Sequence, residues 1–138
     1  MTGIAHRKRL AGILRVLVAG AALAAGAAGV RSAEDGFGVD LMQAIEDSNK
    51  SLASNIALKA AKGASTDAQE LSEMFAKVQA YYSQKGDAPD AVELAGKSHA
   101  FTQQILRSVA AGDYATATDA ATALSRTCKT CHNFYKKS

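Results

Sequence analysis

The chain has 138 residues, enough for one domain, and is 48% apolar and 21% charged. Its net charge of +3 comes from 16 basic and 13 acidic side chains, but the basic excess belongs to the first 31 residues. Charge therefore gives no reason to expect nucleic acid or an anionic membrane as a partner of the folded part.

Arg7, Lys8 and Arg9 form a basic start, and the chain from Ala11 to Val30 is apolar and rich in Ala and Gly, interrupted by Arg15. This is the pattern of a secretory signal peptide, with cleavage expected after Ser32 or Ala33. Residues 1–33 are then a removed leader, residues 34–138 the domain, and the periplasm its compartment. A membrane anchor is the competing reading, but Val16 to Val30 is only 15 residues, short of the roughly 20 that span a bilayer. Five basic residues and no acidic one precede Glu34, so a chain starting near Ala33 carries 11 basic and 13 acidic side chains, a net charge of −2.

From Phe37 onward the pattern is helical, with Glu34 to Gly38 reading as a loose tail. Breaks are expected at Gly63, Gly86 and Gly112, each of which follows a helix-forming stretch. The first helix should run from about Val39 to Lys62, with Leu41, Ile45, Leu52 and Ile56 on its apolar face and Met42 beside it. The second opens near Thr66 or Asp67 and ends near Lys85. Its stripe of Leu71, Met74, Phe75, Val78, Tyr81 and Tyr82 has the clearest helical period in the chain. Asp87 is the expected cap of the third helix and Pro89 fits its first turn; Ala91, Leu94, Ala95, Thr102, Ile105 and Val109 form its buried face. Asp113 caps the fourth, whose inner face is Ala117, Ala121, Leu124, Cys128, Cys131 and Tyr135. The expected fold is all-α, and helices of about 20 residues with short loops favour an antiparallel up-down-up-down four-helix bundle.

The fourth helix carries the chemistry. Cys128-Lys129-Thr130-Cys131-His132 is a C-x-x-C-H sequence, the pattern of covalent c-type haem attachment. Two thiols form thioethers with the haem vinyl groups, and the adjacent imidazole becomes the proximal iron ligand. Residues at i, i+3 and i+4 share one helix face, so a single surface presents all three groups. The competing readings are a disulfide, a zinc site and a thiol redox motif. Zinc takes four ligands, and beyond the leader only His99 and His132 could join the two thiols. A redox motif would sit beside a βαβ pattern, and no strand pattern is found. With no Trp and much Ala, the domain is expected to need the haem to complete its core.

A four-helix domain with this motif on its last helix resembles the class II c-type cytochromes, the cytochrome c prime family. The likeness covers the whole of the chain after the leader. Its specific part is Cys128-Lys129-Thr130-Cys131-His132 followed by Tyr135-Lys136, and it departs at Ser125, where family members often have Gly. The resemblance implies haem c as the one cofactor, and often a homodimer through the first two helices. It also implies one of two iron states: five-coordinate and gas-binding, or low-spin with a Met from the first helix on the iron.

Helix rise helps to choose between them. In an up-down bundle, the start of helix one lies beside the end of helix four. His132 is about 6 Å from that end and Met42 is at nearly the same depth, whereas His99 and Met74 are roughly 16 Å away. Leu41-Met42-Gln43 also resembles the Leu-Met-Lys segment of the low-spin members. Met42 is thus the expected distal ligand, although Leu41 competes for the inward position. Met74 is expected as core filler and His99 as a partly exposed helix residue. Tyr81, Tyr82, Leu94 and Ala95 are expected to line the porphyrin, with ordinary core and rim positions as the alternative for the tyrosines. Lys129, Lys136 and Lys137 would surround the exposed edge and guide an acidic redox partner, or be solvated surface.

The expected function is a periplasmic monohaem electron carrier whose partners are redox proteins. The alternatives are a five-coordinate protein that binds NO or CO, and a haem-free helical interaction module. No acid pair, Ser/His/Asp set or phosphate loop stands out, so no enzyme is expected.

Overall fold

A computed structural model describes residues 37–135. The expected leader, residues 34–36, Lys136 and Lys137 lie outside the described residues. Within them are four α-helices and no strand: α1 (Val39–Ala57), α2 (Ala61–Lys85), α3 (Pro89–Ala110) and α4 (Tyr114–Tyr135). They pack as a ring, α1 on α2, α2 on α3, α3 on α4 and α4 on α1, consistent with a four-helix bundle. The α2–α3 seam is the most extensive and the α4–α1 seam the least. No helix among the described residues is long and apolar enough to cross a membrane.

The first break does not fall at Gly63. α1 stops at Ala57, and Lys59 takes the left-handed conformation at φ 54°. The amide of Ala60 reaches back to the Asn55 carbonyl at 2.8 Å, closing the last turn as a left-handed cap does. A lysine there carries a steric penalty that glycine avoids. The Tyr114 hydroxyl, from the start of α4, donates to the Lys59 carbonyl at 3.1 Å and ties this turn down. Gly63 instead lies in the opening turns of α2. A Cβ built on it would sit 2.7 Å from the Asn55 side chain, so its glycine character serves close packing between helices. The freed Asn55 amide donates to Asp67 Oδ2 at 2.8 Å.

The other two glycines do end helices, Gly86 at φ 75° and Gly112 at φ 72°. α3 opens on Pro89 as expected, but Ala88 holds the cap position. Asp87 faces Lys85 instead, at 3.4 Å across exposed surface, where such pairs contribute little.

At α4 the Asp113 carboxylate accepts from the Thr116 amide at 3.0 Å and the Thr116 hydroxyl at 2.6 Å. These bonds hold its pKa below the usual aspartate value. A depressed carboxylate pKa stabilises the fold above the unfolded-state value, and that contribution is lost as pH falls through the folded value. Asp113→Ala should therefore melt at lower temperature than the parent at neutral pH. The gap should close in strong acid, as checked by melting curves across pH.

The core lies around Leu52, Leu71, Ile105 and Leu124, all fully buried. Alanines at 64, 68, 91, 117 and 120 let the helices approach closely around them. Thr102 is fully buried too, its hydroxyl donating to the His99 carbonyl at 2.6 Å. All the expected apolar faces are found, with Leu41, Met42, Met74, Tyr81, Tyr82, Leu94, Cys128, Cys131 and Tyr135 only half-buried. Most of these half-buried side chains belong to the region described next.

Candidate functional site

The first half of α1, the second half of α2, the first half of α3 and the end of α4 enclose a cleft of about 1000 Å³. That is at the upper end of the ~300–1,000 Å³ typical of small-molecule and cofactor sites. Its walls are mostly apolar. Ile45, Phe75, Val78, Leu94 and Ala95 contribute the lining nearest the core.

Cys128, Cys131 and His132 all line this cleft from α4. Their helical spacing puts them on one face, and Leu124 and Ala121, one and two turns earlier, anchor that face in the core. The thiols are half-buried and His132 is exposed at the mouth. Burial raises the pKa of both thiols, with the Cys131 charge adding to the effect at Cys128. They are therefore thiols rather than thiolates at neutral pH, the opposite of an activated redox or nucleophilic cysteine. Among the described residues, no group of three or more His, Cys, Asp or Glu side chains could hold a metal ion by itself.

Met42 lines the cleft from α1. Tyr82, Leu94 and Ala95 are also on its wall. Tyr81 is not. It stacks on Phe37 with ring centroids 3.9 Å apart and planes 6° from parallel. Phe37 in turn lines the cleft, so Phe37 is not part of a loose tail: an aromatic contact folds it over the end of α2. Tyr82 joins the group edge-on to both rings, and Tyr135 of α4 lies 5.6 Å from Tyr82. Burial, and then the neighbouring Cys131, raise the Tyr82 phenol pKa. Met74 packs on the core and His99 is half-buried; neither lines the cleft.

Several wall residues were not among the expected lining: Phe37, Ile45, Asn49, Phe75, Val78, Ser98 and Thr127. The signal for Phe75 and Val78 was present in the sequence, since they precede Tyr82 by seven and four residues and share its face. Ser98 and Thr127 carried no such signal. Their hydroxyls meet at 2.7 Å and also contact the Leu94 and Leu124 carbonyls, which keeps two polar groups satisfied in an apolar wall.

The donor set and the cavity fit a covalently held haem. Two thiols at helical spacing and an imidazole share one wall, and a thioether lies on another. Between them is apolar space larger than any aliphatic side chain would fill. No family model, curated protein or solved structure matches the chain.

Proposed function

We propose that the chain is an exported monohaem c-type cytochrome that carries electrons, with Cys128 and Cys131 as thioether attachments, His132 as the proximal ligand and Met42 as the distal one. The observation that carries this reading is the meeting of both cysteines, His132 and Met42 on the walls of one apolar cleft. Cysteines and histidine come from one five-residue segment, but Met42 comes from the other end of the sequence. Its presence there is what a ligand pair requires.

The reading takes the helices as alternating up and down. Two cross-helix hydrogen bonds support this. Ser48 in α1 pairs with Glu70, and Asn55, later in α1, pairs with Asp67, earlier in α2. The bond from Tyr114, at the start of α4, to the Lys59 carbonyl, just past the end of α1, supports the start of α1 lying beside the end of α4. The periplasmic address rests on the leader-like first 33 residues. Redox protein partners and a homodimer through α1 and α2 follow from the cytochrome c prime resemblance.

When bound, the haem supplies a one-electron iron couple. The chain's own residues do the rest. The cysteines would prevent loss of the group, and His132 and Met42 would hold the iron from two helices. A His/Met pair raises the reduction potential and leaves no iron position for a substrate. Ile45, Phe75, Val78 and Leu94 would give the group an apolar wall. An apolar wall and two fixed ligands would suit a carrier, in which little should rearrange when the charge changes. The gas-binding reading differs at one point, whether the Met42 sulfur fills the distal position; Leu41 beside it is also half-buried and packs on the core.

Intact mass and the visible spectrum test the proposal together. Protein matured in cells competent for cytochrome biogenesis should carry the mass of one haem. Its ferric form should be low-spin, with a weak band near the red edge from sulfur ligation. Colourless protein with an unmodified mass would end the haem reading.

A further inference from the structure

The weakest seam of the bundle lies between the two helices that carry the iron ligands. α1 and α4 pack less extensively than any other neighbouring pair. The cofactor cleft takes in one end of this seam. A second, smaller cleft of about 160 Å³ lies further along the seam, lined by Ala53, Ile56, Thr118 and Thr122. The two clefts share Asn49 and Ser125. Between these residues runs a hydrogen bond, Asn49 Nδ2 donating to Ser125 Oγ at 3.3 Å. Both residues are half-buried.

The spacing of this bond from the ligands is equal on the two helices. Asn49 follows Met42 by seven residues, and Ser125 precedes His132 by seven. Seven residues are two helical turns, so each ligand shares a face with its partner in the bond and lies about 10.5 Å along the axis from it. In helices of opposite direction, equal offsets bring the two ligands to equal depth. A slip of one turn in either helix would move Met42 about 5.4 Å relative to His132. Ala53, Thr118 and Thr122 along the seam are small, and the other hydrogen bond between α4 and the α1 end, Tyr114 to the Lys59 carbonyl, lies beyond the last turn of α1, so Asn49–Ser125 is the bond nearer the ligands.

We infer that the Asn49–Ser125 hydrogen bond is a register pin of the α1–α4 seam, and that both are positioning residues that hold Met42 at the depth of His132. This rests on the proposed His132/Met42 ligation. It also gives Ser125 a role that the Gly often found at its place in class II cytochromes could not fill.

Carbon monoxide binding to the reduced haem-loaded protein tests the pin, because CO can enter only while the methionine is off the iron. Losing one hydrogen bond should raise the methionine-off population, and with it the CO association rate, about fivefold. Asn49→Ala and Ser125→Ala should each show this rise and a weaker sulfur band, and the double variant should go no further than either alone. Alanine is the best helix former, so helix loss would not explain the change. Asn55→Ala is the control. It breaks an α1–α2 bond instead, and should lower the melting temperature while leaving the CO rate unchanged. Parent-like CO rates in both alanine variants, a double variant whose effect is the product of the two, or an equal rise in Asn55→Ala would each overturn the pin. A parent protein that already binds CO as fast as Met42→Ala would instead overturn the ligand assignment, and the pin with it.

Discussion

Cys128→Ser/Cys131→Ser protein should be recovered without covalent haem, at the mass of the polypeptide alone. The physical reason lies in the cleft. The walls of the cleft of about 1000 Å³, Phe75, Val78, Leu94 and Tyr82 among them, are not covered by any other described side chain. Apolar walls left facing water lose both the transfer energy and the packing contacts that a buried group would supply. The serine pair cannot form thioethers, so any haem would be held by His132 and Met42 alone and should be extracted by acidified organic solvent. The variant should also melt well below the haem-loaded parent, since a group that binds only the folded state stabilises it. Mass spectrometry reads the first effect and calorimetry the second. A serine variant that still carries haem through denaturation would contradict the assignment of these two thiols.

Met42→Ala tests the other wall. It should keep its covalent haem, because the attachment on α4 is untouched. Its ferric spectrum should change from low-spin to high-spin, and the sulfur band should vanish. The CO association rate of the reduced form should rise by about 10- to 1,000-fold, because the open state it relieves is the minor one, populated to about 0.1–10% in an equilibrium of this kind. The reduction potential should fall, since thioether ligation raises it. A Leu41→Ala variant serves as the comparison: it removes an apolar contact with the core and should leave the spectrum as it was. If Met42→Ala is spectrally identical to the parent, the sulfur is not on the iron and the five-coordinate, gas-binding reading takes its place.

The helical class and three of the four helix starts could be read from periodicity and punctuation, because both are local. Glycine at positive φ ends α2 and precedes α4, and proline opens α3. The α1–α2 turn could not. Its left-handed residue is Lys59, which nothing in its own neighbourhood favours over Gly63 four residues later. Asn55 needs the space at Gly63, and Tyr114 bonds the Lys59 carbonyl from 55 residues away. Asp87 shows the same limit from the other side. A good capping residue stands beside a helix start, yet Lys85 rather than the helix has its carboxylate.

The candidate site divides along the same line. The C-x-x-C-H segment was legible because its three functional groups lie within one turn and a half of one helix, so spacing alone sets their face. Met42 was reached by counting depth along helices, and the cleft wall includes it. Tyr81 and Tyr82 were both expected on the wall, although only Tyr82 has the seven- and four-residue spacing to Phe75 and Val78. Tyr81, one position earlier on the helix, lies off the wall and stacks on Phe37, from before α1. Phe37 itself gave no signal, being a single aromatic residue in a polar, glycine-flanked stretch.

By itself, then, the sequence determined that this chain makes four helices, where most of their apolar faces lie, and which two thiols and imidazole share a surface. Tertiary structure alone decided the α1–α2 turn, the aromatic group of Phe37, Tyr81, Tyr82 and Tyr135, the hydroxyl pair in the cleft wall, and the Asn49–Ser125 contact across the α1–α4 seam. The difference is one of distance along the chain. Helix periodicity and motif spacing are carried by residues a few positions apart, whereas a cavity wall is the joint product of four segments that meet only once the chain has packed.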